Sequence, residues 1–284
     1  ITNFNIIIIE FFIFIYCCHR FNLNNYFYLP YYNKIIINFI NKDLNYLMRQ
    51  LTIIIPILNE ANNILYLIPE IHKVQLKLNL KKFEIILIDD NSSDNIHSVF
   101  KKLKKRFKYL KLFIRTKNRD LSKSCIMGFK KSTTDNILVM DGDFQHNPKY
   151  IKNLFFKYTA GNFDIVIGSR DLFKKKNAGL SFIRKSFSIA LIIVINFLLG
   201  IKTSDPMSGF FIFRRSIYFE NKKNLYANGY KILSDLLYSS KKKLKIGDVA
   251  IVFKKRNKGE SKMNLSILLK LINFILIKFL KKIF

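Results

Sequence analysis

The feature that most constrains the fold is a set of short, uninterrupted apolar runs that each end at polar residues. The runs LTIIIPI (51–57) and FEIILID (83–89) show no apolar–polar alternation, which is typical of strands buried on both faces. Further strands are predicted at 110–114, 136–140 and 163–167. Because both faces of such strands must be covered, the chain is predicted to be an α/β protein.

Segments with helical spacing separate these runs. A helix is predicted over Ala61–Leu80, and the next one follows NSSDN, where Ser93 or Asp94 can cap it. Two more are predicted at 120–131 and 148–158. Strands that alternate with helices imply right-handed crossovers and a mostly parallel sheet flanked by helices. Ligands of such sheets bind beyond the carboxyl ends of the strands.

Polar residues follow four of the predicted strands. Each set alone has a plainer explanation, because Asn59 could be a helix cap and an acidic pair could form a turn. Carboxyl ends of parallel strands share one edge, so four sets together predict a shared ligand site. The sets are Pro56 with Asn59 and Glu60, then Asp89 with Asp90, then Arg115, and finally Asp141 with Asp143.

Composition limits what the net charge can indicate about binding partners. The chain has 49 Lys and Arg against 19 Asp and Glu, a net charge of +30, and it is rich in residues with AT-rich codons. A basic chain suggests nucleic acid or an anionic membrane, or simply lysines on solvated faces. A nucleic-acid-binding protein should cluster its cations with aromatics, whereas here Lys is scattered and the ligand edge is acidic. The three cysteines form no ligand pattern, and we expect reduced thiols in the cytosol.

The two ends of the chain differ from the regular part. Residues 1–47 contain an apolar run, Ile6–Cys18, which has 13 residues where a membrane span needs about 20. We expect this extension to be either a weak anchor or translated upstream sequence, with the working domain at 48–263. Residues 264–284 are predicted to form an amphipathic helix on the membrane surface, with polar residues that include Asn273 and its lysines turned toward anionic lipid.

A series of motifs resembles one family. They are PILNE, IDDNSSD, Arg115 to Ser122, MDGDFQHNP, IGSR, DPMSGF, GYKIL and KKRNKGESK, in order over 51 to about 264. This series is similar to that of the dolichol- and polyprenyl-phosphate mannosyltransferases, which are family 2 glycosyltransferases with the GT-A fold. The resemblance implies interfacial helices, one of them at the apolar stretch Ser186–Ile201, for which a core helix is the alternative interpretation. Leu58 departs from the aromatic that the family often has before Asn59.

The acidic motif predicts a metal site. Asp141 and Asp143 provide the hard oxygen ligands that Mg²⁺ or Mn²⁺ prefers beside a diphosphate. The resemblance adds Gln145 as a third metal ligand. In an extended segment these three residues would point the same way, and His146 would face away from them.

The resemblance also implies donor and acceptor contacts. Those that would bind the donor are Pro56, Asn59, Glu60, Asp89 and Asp90, with Asp141 and Asp143. Those in segments that resemble acceptor-phosphate contacts are Arg170, Arg184, Ser188, Arg256 and Lys262. The residues implied to be catalytic are Asp141, Asp143, Arg170, Arg184 and Arg256.

No dedicated general base is evident in the sequence, and a phosphate acceptor would need none because it is already ionised at neutral pH. The implied reaction is inverting transfer of a hexose to a polyprenyl (dolichyl-type) phosphate, giving a β-linked product. Mannose from GDP-mannose is the first expectation, with UDP-glucose or another donor, or a glycan or polysaccharide acceptor, as alternatives. The expected location is peripheral, at the cytoplasmic face of a membrane.

Overall fold

The computed structural model of the protein describes residues 49–170, 182–200, 202–229, 231–253 and 272–280, and within 182–188 only the backbone. The strands are β1 (Gln50–Ile57), β2 (Lys82–Asp89), β3 (Leu110–Ile114), β4 (Asn136–Val139), β5 (Ile165–Arg170), β6 (Phe211–Arg214) and β7 (Ile246–Ile251). The helices are α1 (Ala61–Gln75), α2 (Ile96–Arg106), α3 (Leu121–Lys131), α4 (Lys149–Ala160), α5 (Phe182–Leu199), α6 (Arg215–Asn221), α7 (Ile232–Ser239) and α8 (272–280).

The strands of the described part form one sheet in the order β3-β2-β1-β4-β6-β5-β7. Every pairing is parallel except those of β6, which runs antiparallel to β4 and β5. The predicted mostly parallel sheet is therefore confirmed. The pairs Ile57–Asp89 and Asp89–Ile114 align the carboxyl ends of β1, β2 and β3 at one edge.

Two apolar clusters cover the two faces of the sheet. Successive side chains of a strand point to opposite faces, so Ile53 and Ile55 join the cluster that contains α1, while Ile54 joins the cluster that contains α3. Gly128 on α3 allows a close approach, since a Cβ there would lie 2.5 Å from Ile54 Cγ2. Continuous apolar runs thus form the central strands because both faces are buried.

The end of α1 and the capping residue of α2 differ from the sequence prediction. Helix α1 ends at Gln75 instead of Leu80, ahead of a turn in which Asn79 has a φ of 46°. Asp94 does not cap α2, whose N-cap is Asn95 without a side-chain hydrogen bond. Instead, Asp94 Oδ2 accepts a hydrogen bond of 2.8 Å from the first backbone N–H of α1. Cap preference identified the correct kind of residue but the wrong helix, because the loops after β1 and β2 lie side by side.

Helices α5 and α8 pack together through a third apolar cluster that includes Ile195, Phe274 and Ile275. The prediction that the lysines of the C-terminal helix face lipid is wrong for Lys278. Its ammonium is 2.9 Å from Asp235 Oδ1 and donates to the Asn224 carbonyl at 2.8 Å. A buried carboxylate therefore decides the orientation of this part of the helix. Ser266, Lys270 and Lys281 lie outside the described residues.

Candidate functional site

A pocket opens at the carboxyl edge of the sheet, where the sequence predicted a shared ligand site. The ends of β1, β2, β4, β5 and β7 contribute to it, together with α3 and the segments before β6 and α7. Its lining residues are Pro56, Ile57, Leu58, Glu60, Asp90, Arg119, Asp120, Leu121, Ser124, Asp141, Gly142, Asp143, His146, Arg170, Met207, Gly209, Lys231 and Phe253. Acidic and basic side chains thus line the same concave site.

The two carboxylates that follow β4 both line this pocket. Asp143 is buried, and its Oδ1 accepts a hydrogen bond of 3.1 Å from the backbone N–H of Gln145. The side chain of Asp141 is 35% exposed, so it is the more accessible of the two. Gly209 faces Asp141 across the pocket, and the missing Cβ of this glycine leaves room for the carboxylate.

The segment after β4 is not extended, which corrects the sequence interpretation. Phe144 has a φ of 65°, in the left-handed region, and this turn breaks the two-residue alternation. His146 therefore lines the pocket, although it was predicted to face away. Gln145 is buried and is not part of the pocket lining in the described structure. Its role as a metal ligand stays a prediction.

His146 is a buried partner of Asp141. Its Nδ1 lies 3.2 Å from the backbone nitrogen of Asp141, which donates to it, and 3.6 Å from Asp141 Oδ2. The ring stacks on Phe210 and meets the edge of Phe253. Burial lowers the pKa of His146 despite the nearby carboxylates, so the ring is neutral and can accept the hydrogen bond.

One wall of the pocket, called the donor wall because the sequence predicted that its residues bind the donor, is built from an acidic network. Asp90 pairs with Arg115 through Oδ1, and its Oδ2 accepts a hydrogen bond of 2.6 Å from the backbone N–H of Asp120. Pro56 and Glu60 line the same wall. This arrangement places a carboxylate from β2 opposite the end of β1, where a ribose or base could be bound.

Asn59 and Asp89 lie behind that wall instead of lining it. Asn59, with a φ of 59°, accepts a hydrogen bond of 2.8 Å from the Ser93 backbone through Oδ1. Asp89 is buried and accepts from the Ser92 backbone at 3.1 Å. Both side chains connect the loops after β1 and β2, so they support the wall.

The opposite wall is cationic. Arg170, at the end of β5, donates from Nε and Nη2 to the two carboxylate oxygens of Asp205 at 2.6 and 2.8 Å. Its guanidinium lies 5.4 Å from the centre of the Phe253 ring. Burial lowers the pKa of Arg170, but the Asp205 carboxylate outweighs that effect and leaves the pKa raised, so the group stays charged.

Three charged residues of the pocket were missed in the sequence: Arg119, Asp120 and Lys231. The motifs that contain them were recognised, but no residue of GYKIL was given a role. Of the other predicted cations, Arg256 and Lys262 lie outside the described residues. Arg184 and Ser188 lie on α5, where only the backbone is described.

The oxygen donors fit a hard divalent cation. Two carboxylates one residue apart line the pocket, and the space opposite Gly209 accommodates one of them. Within the described ranges no group of three or more His, Cys, Asp or Glu side chains could hold a metal ion. Oxygens of a bound diphosphate could complete the coordination of a cation held by these two carboxylates.

Sequence comparisons agree with this geometry. Residues 52–220 match the sequence model described as glycosyl transferase family 2. A dolichol-phosphate mannosyltransferase of Pyrococcus furiosus is 35% identical over 218 residues, which are 75% of this chain and 59% of that protein. Proteins of the same name from Mycosarcoma maydis and Saccharomyces cerevisiae are 28% identical and are covered over 75% and 80% of their lengths, and 77% and 75% of this chain. The chain thus spans less than two thirds of the length of the Pyrococcus relative.

Solved structures show the same fold. Glucosyl-3-phosphoglycerate synthase from Mycobacterium tuberculosis superimposes with a TM-score of 0.57 at 17% identity, over 82% of this chain and 79% of that one. Another structure of that enzyme, with the same TM-score and coverage, holds Mn²⁺, UDP-glucose and phosphoglyceric acid. The sheet therefore has the GT-A fold. Because the family match extends over more than half of its length, the chain belongs to glycosyl transferase family 2.

Proposed function

We propose that this protein transfers a hexose from a nucleotide sugar to a polyprenyl (dolichyl-type) phosphate. The observation that carries the proposal is that two carboxylates after β4 and a guanidinium at the end of β5 line one pocket. Such a site suits two anionic substrates, a nucleotide sugar and a phosphate acceptor. The nucleoside diphosphate of the first is the leaving group. The names of the relatives support mannose as the sugar and dolichyl phosphate as the acceptor. GDP-mannose is the donor that we propose first.

Asp141 and Asp143 would hold the divalent cation, Mg²⁺ or Mn²⁺. When bound, such an ion stabilises the negative charge that develops on the diphosphate leaving group. Asp141 is accessible from the pocket, whereas Asp143 is buried and fixed by the Gln145 backbone. We propose that both carboxylates bind the cation, that Asp143 also fixes the loop through the Gln145 backbone, and that Asp141 is the more accessible to the ligand.

Arg170 would bind the attacking phosphate. Its pairing with Asp205 uses Nε and Nη2, so Nη1 is the nitrogen that remains to donate to a ligand in the described structure. The bidentate pair orients the guanidinium before the substrate arrives, which lowers the entropic cost of binding. A phosphate monoester is ionised at neutral pH and needs no base. One displacement from the face opposite the leaving group inverts the anomeric centre and gives a β-linked product.

A polyprenyl acceptor requires access to a membrane, and the surface of the protein supports this. Helix α5 exposes Ile193, Val194 and Phe197, the last of them 85% exposed, and α8 exposes Ile272, Leu276 and Leu280. Exposed apolar side chains on adjacent helices favour insertion into the headgroup region. Among the described helices, none has the length and apolar character that crossing a bilayer requires. We propose peripheral attachment, at the cytoplasmic face.

The test is a transfer assay with purified full-length protein and polyprenyl phosphate in detergent. Labelled GDP-mannose with Mg²⁺ or Mn²⁺ should give an organic-extractable, mild-acid-labile product, and EDTA should abolish it. UDP-glucose is the second donor to test, because the M. tuberculosis enzyme of the same fold was solved with it. Absence of lipid-linked sugar with every nucleotide sugar would refute the lipid acceptor. A product from a glycan acceptor would establish the alternative.

A further inference from the structure

Lys231 is a cation of the pocket for which the described part of the chain provides no hydrogen-bond or ion-pair partner. It occupies the N-cap position of α7 and lines the pocket with Asp141 and Arg170. Across the described ranges its ammonium makes no hydrogen bond or ion pair, unlike Arg170, which is held by Asp205. An ammonium in a ligand pocket that is not neutralised by a neighbouring carboxylate is suited to bind an anion.

The surroundings of Lys231 disfavour its charge when no ligand is bound. Burial is the largest cause and Arg170 the second, and together they lower the pKa of Lys231 to about 8. Asp205 and Asp141 act in the opposite direction but do not compensate. An anion beside the ammonium would stabilise the charged form.

Two hydrogen bonds hold Gly229, which lies two residues before Lys231. Asp120 Oδ2 accepts from the Gly229 backbone N–H at 2.7 Å, and the Ser122 N–H donates to the Gly229 carbonyl at 2.9 Å. Gly229 has a φ of 88°, which a residue with a side chain rarely adopts. The backbone N–H of Asp120 also donates to Asp90. Asp120 therefore connects Gly229 to the donor wall.

We propose that Lys231 binds a phosphate group in this pocket, and that Asp120, acting through Gly229, is the residue that positions it. The proposal rests on the proposed function only in that the ligands are phosphorylated. The phosphate could belong to the nucleoside diphosphate of the donor or to the lipid acceptor. In either case Lys231 lines the pocket together with Asp141 and Asp143, and Arg170 is the second cation there.

The experiment compares K231M and K231R of the full-length protein, with K243M as the matched control because Lys243 is exposed and outside the pocket. Titration calorimetry with GDP, and with UDP as a second probe, measures binding in the presence of Mn²⁺. A charge-assisted hydrogen bond is lost in K231M, so affinity should fall about tenfold or more, while K231R should recover most of it.

The outcomes separate the two sources of phosphate. Weaker nucleotide binding in K231M assigns Lys231 to the donor diphosphate. Unchanged nucleotide binding with a KM for polyprenyl phosphate raised about tenfold assigns it to the acceptor. If both constants stay within twofold of those of K243M, the proposal is overturned. Nucleotide binding is measured without transfer of the sugar. Failure of the lipid assay alone would therefore refute the proposed function, while the assignment of Lys231 to the donor diphosphate could still be tested.

The positioning role of Asp120 has its own test. D120N and D120S both keep an oxygen that can accept from Lys123 N–H at the start of α3, but neither keeps the carboxylate that accepts from Gly229. Each should weaken the same constant that K231M weakens, and D120N combined with K231M should be no worse than K231M alone. Additive losses, or a fall in thermal stability with unchanged affinity, would show that Asp120 is merely structural.

Discussion

Gly209 and the Asp141 carboxylate are so close that a Cβ on this glycine would lie 3.0 Å from Asp141 Oδ2. G209A should therefore displace the carboxylate and weaken Mn²⁺ binding roughly tenfold, as shifts in groups that orient metal ligands do. Mn²⁺ titration of transfer activity measures this. G247A is the matched control, because its Cβ would crowd the Phe163 ring at 3.1 Å, away from Asp141. Equal metal dependence in the two variants would contradict the prediction.

Replacement of the buried Asp143 carboxylate should reduce transfer activity more than G209A does. D143N keeps the size of the side chain and an oxygen for the Gln145 N–H, but it removes the charge beside the proposed cation. We expect transfer to fall by about a hundredfold or more with little change in thermal unfolding. Circular dichroism checks the fold, and retained activity would remove Asp143 from the metal site.

Arg170 should not be replaceable by lysine. R170K keeps the charge but cannot form two parallel hydrogen bonds with Asp205 and also donate to a phosphate. The KM for polyprenyl phosphate is expected to rise about tenfold. R214K serves as the control, since Arg214 lies at the end of β6, outside the pocket, and contacts Asn162 at 3.5 Å. An unchanged KM in R170K would argue against acceptor binding.

Lys278 should be required for docking of α8. K278M leaves Asp235 without its buried cation, and breaking such a pair costs about 3 kcal/mol. Hydrogen exchange of residues 272–280 should become faster, and binding to vesicles of anionic lipid should weaken because α8 no longer presents its apolar residues in a fixed position. The exposed Lys222 provides the control variant K222M. Unchanged exchange in K278M would show that apolar packing alone holds the helix.

The affinity of the pocket for nucleotide should depend on pH through Lys231. Because Lys231 has a pKa of about 8, its side chain is positively charged below that pH and loses the charge as the pH rises through it. The charged groups that act on it are Arg170, Asp205 and Asp141. Binding of GDP in the presence of Mn²⁺ should therefore weaken between pH 7 and pH 9 in the wild type. K231R should show a flatter profile because a guanidinium stays protonated, and identical profiles would contradict the assignment of Lys231 to the donor diphosphate.

Much of the fold could be predicted from the sequence because its central strands are buried on both faces. Runs such as 51–57 and 83–89 carry that information locally, and the parallel arrangement follows from their alternation with helices. Strand β6 could not be predicted in this way. Its four residues, Phe211–Arg214, become a strand because they pair antiparallel with both β4 and β5.

The sequence by itself determined which residues reach the edge of the sheet, because a strand that ends at Ile57 or Val139 must place its next residues there. Only the tertiary structure decided where their side chains point. A left-handed turn at Phe144 brings His146 into the pocket, and a hydrogen bond from Gly229 to Asp120 holds the segment before Lys231. The first depends on a single backbone angle and the second on a contact between residues distant in sequence. Apolar periodicity carries no information about either.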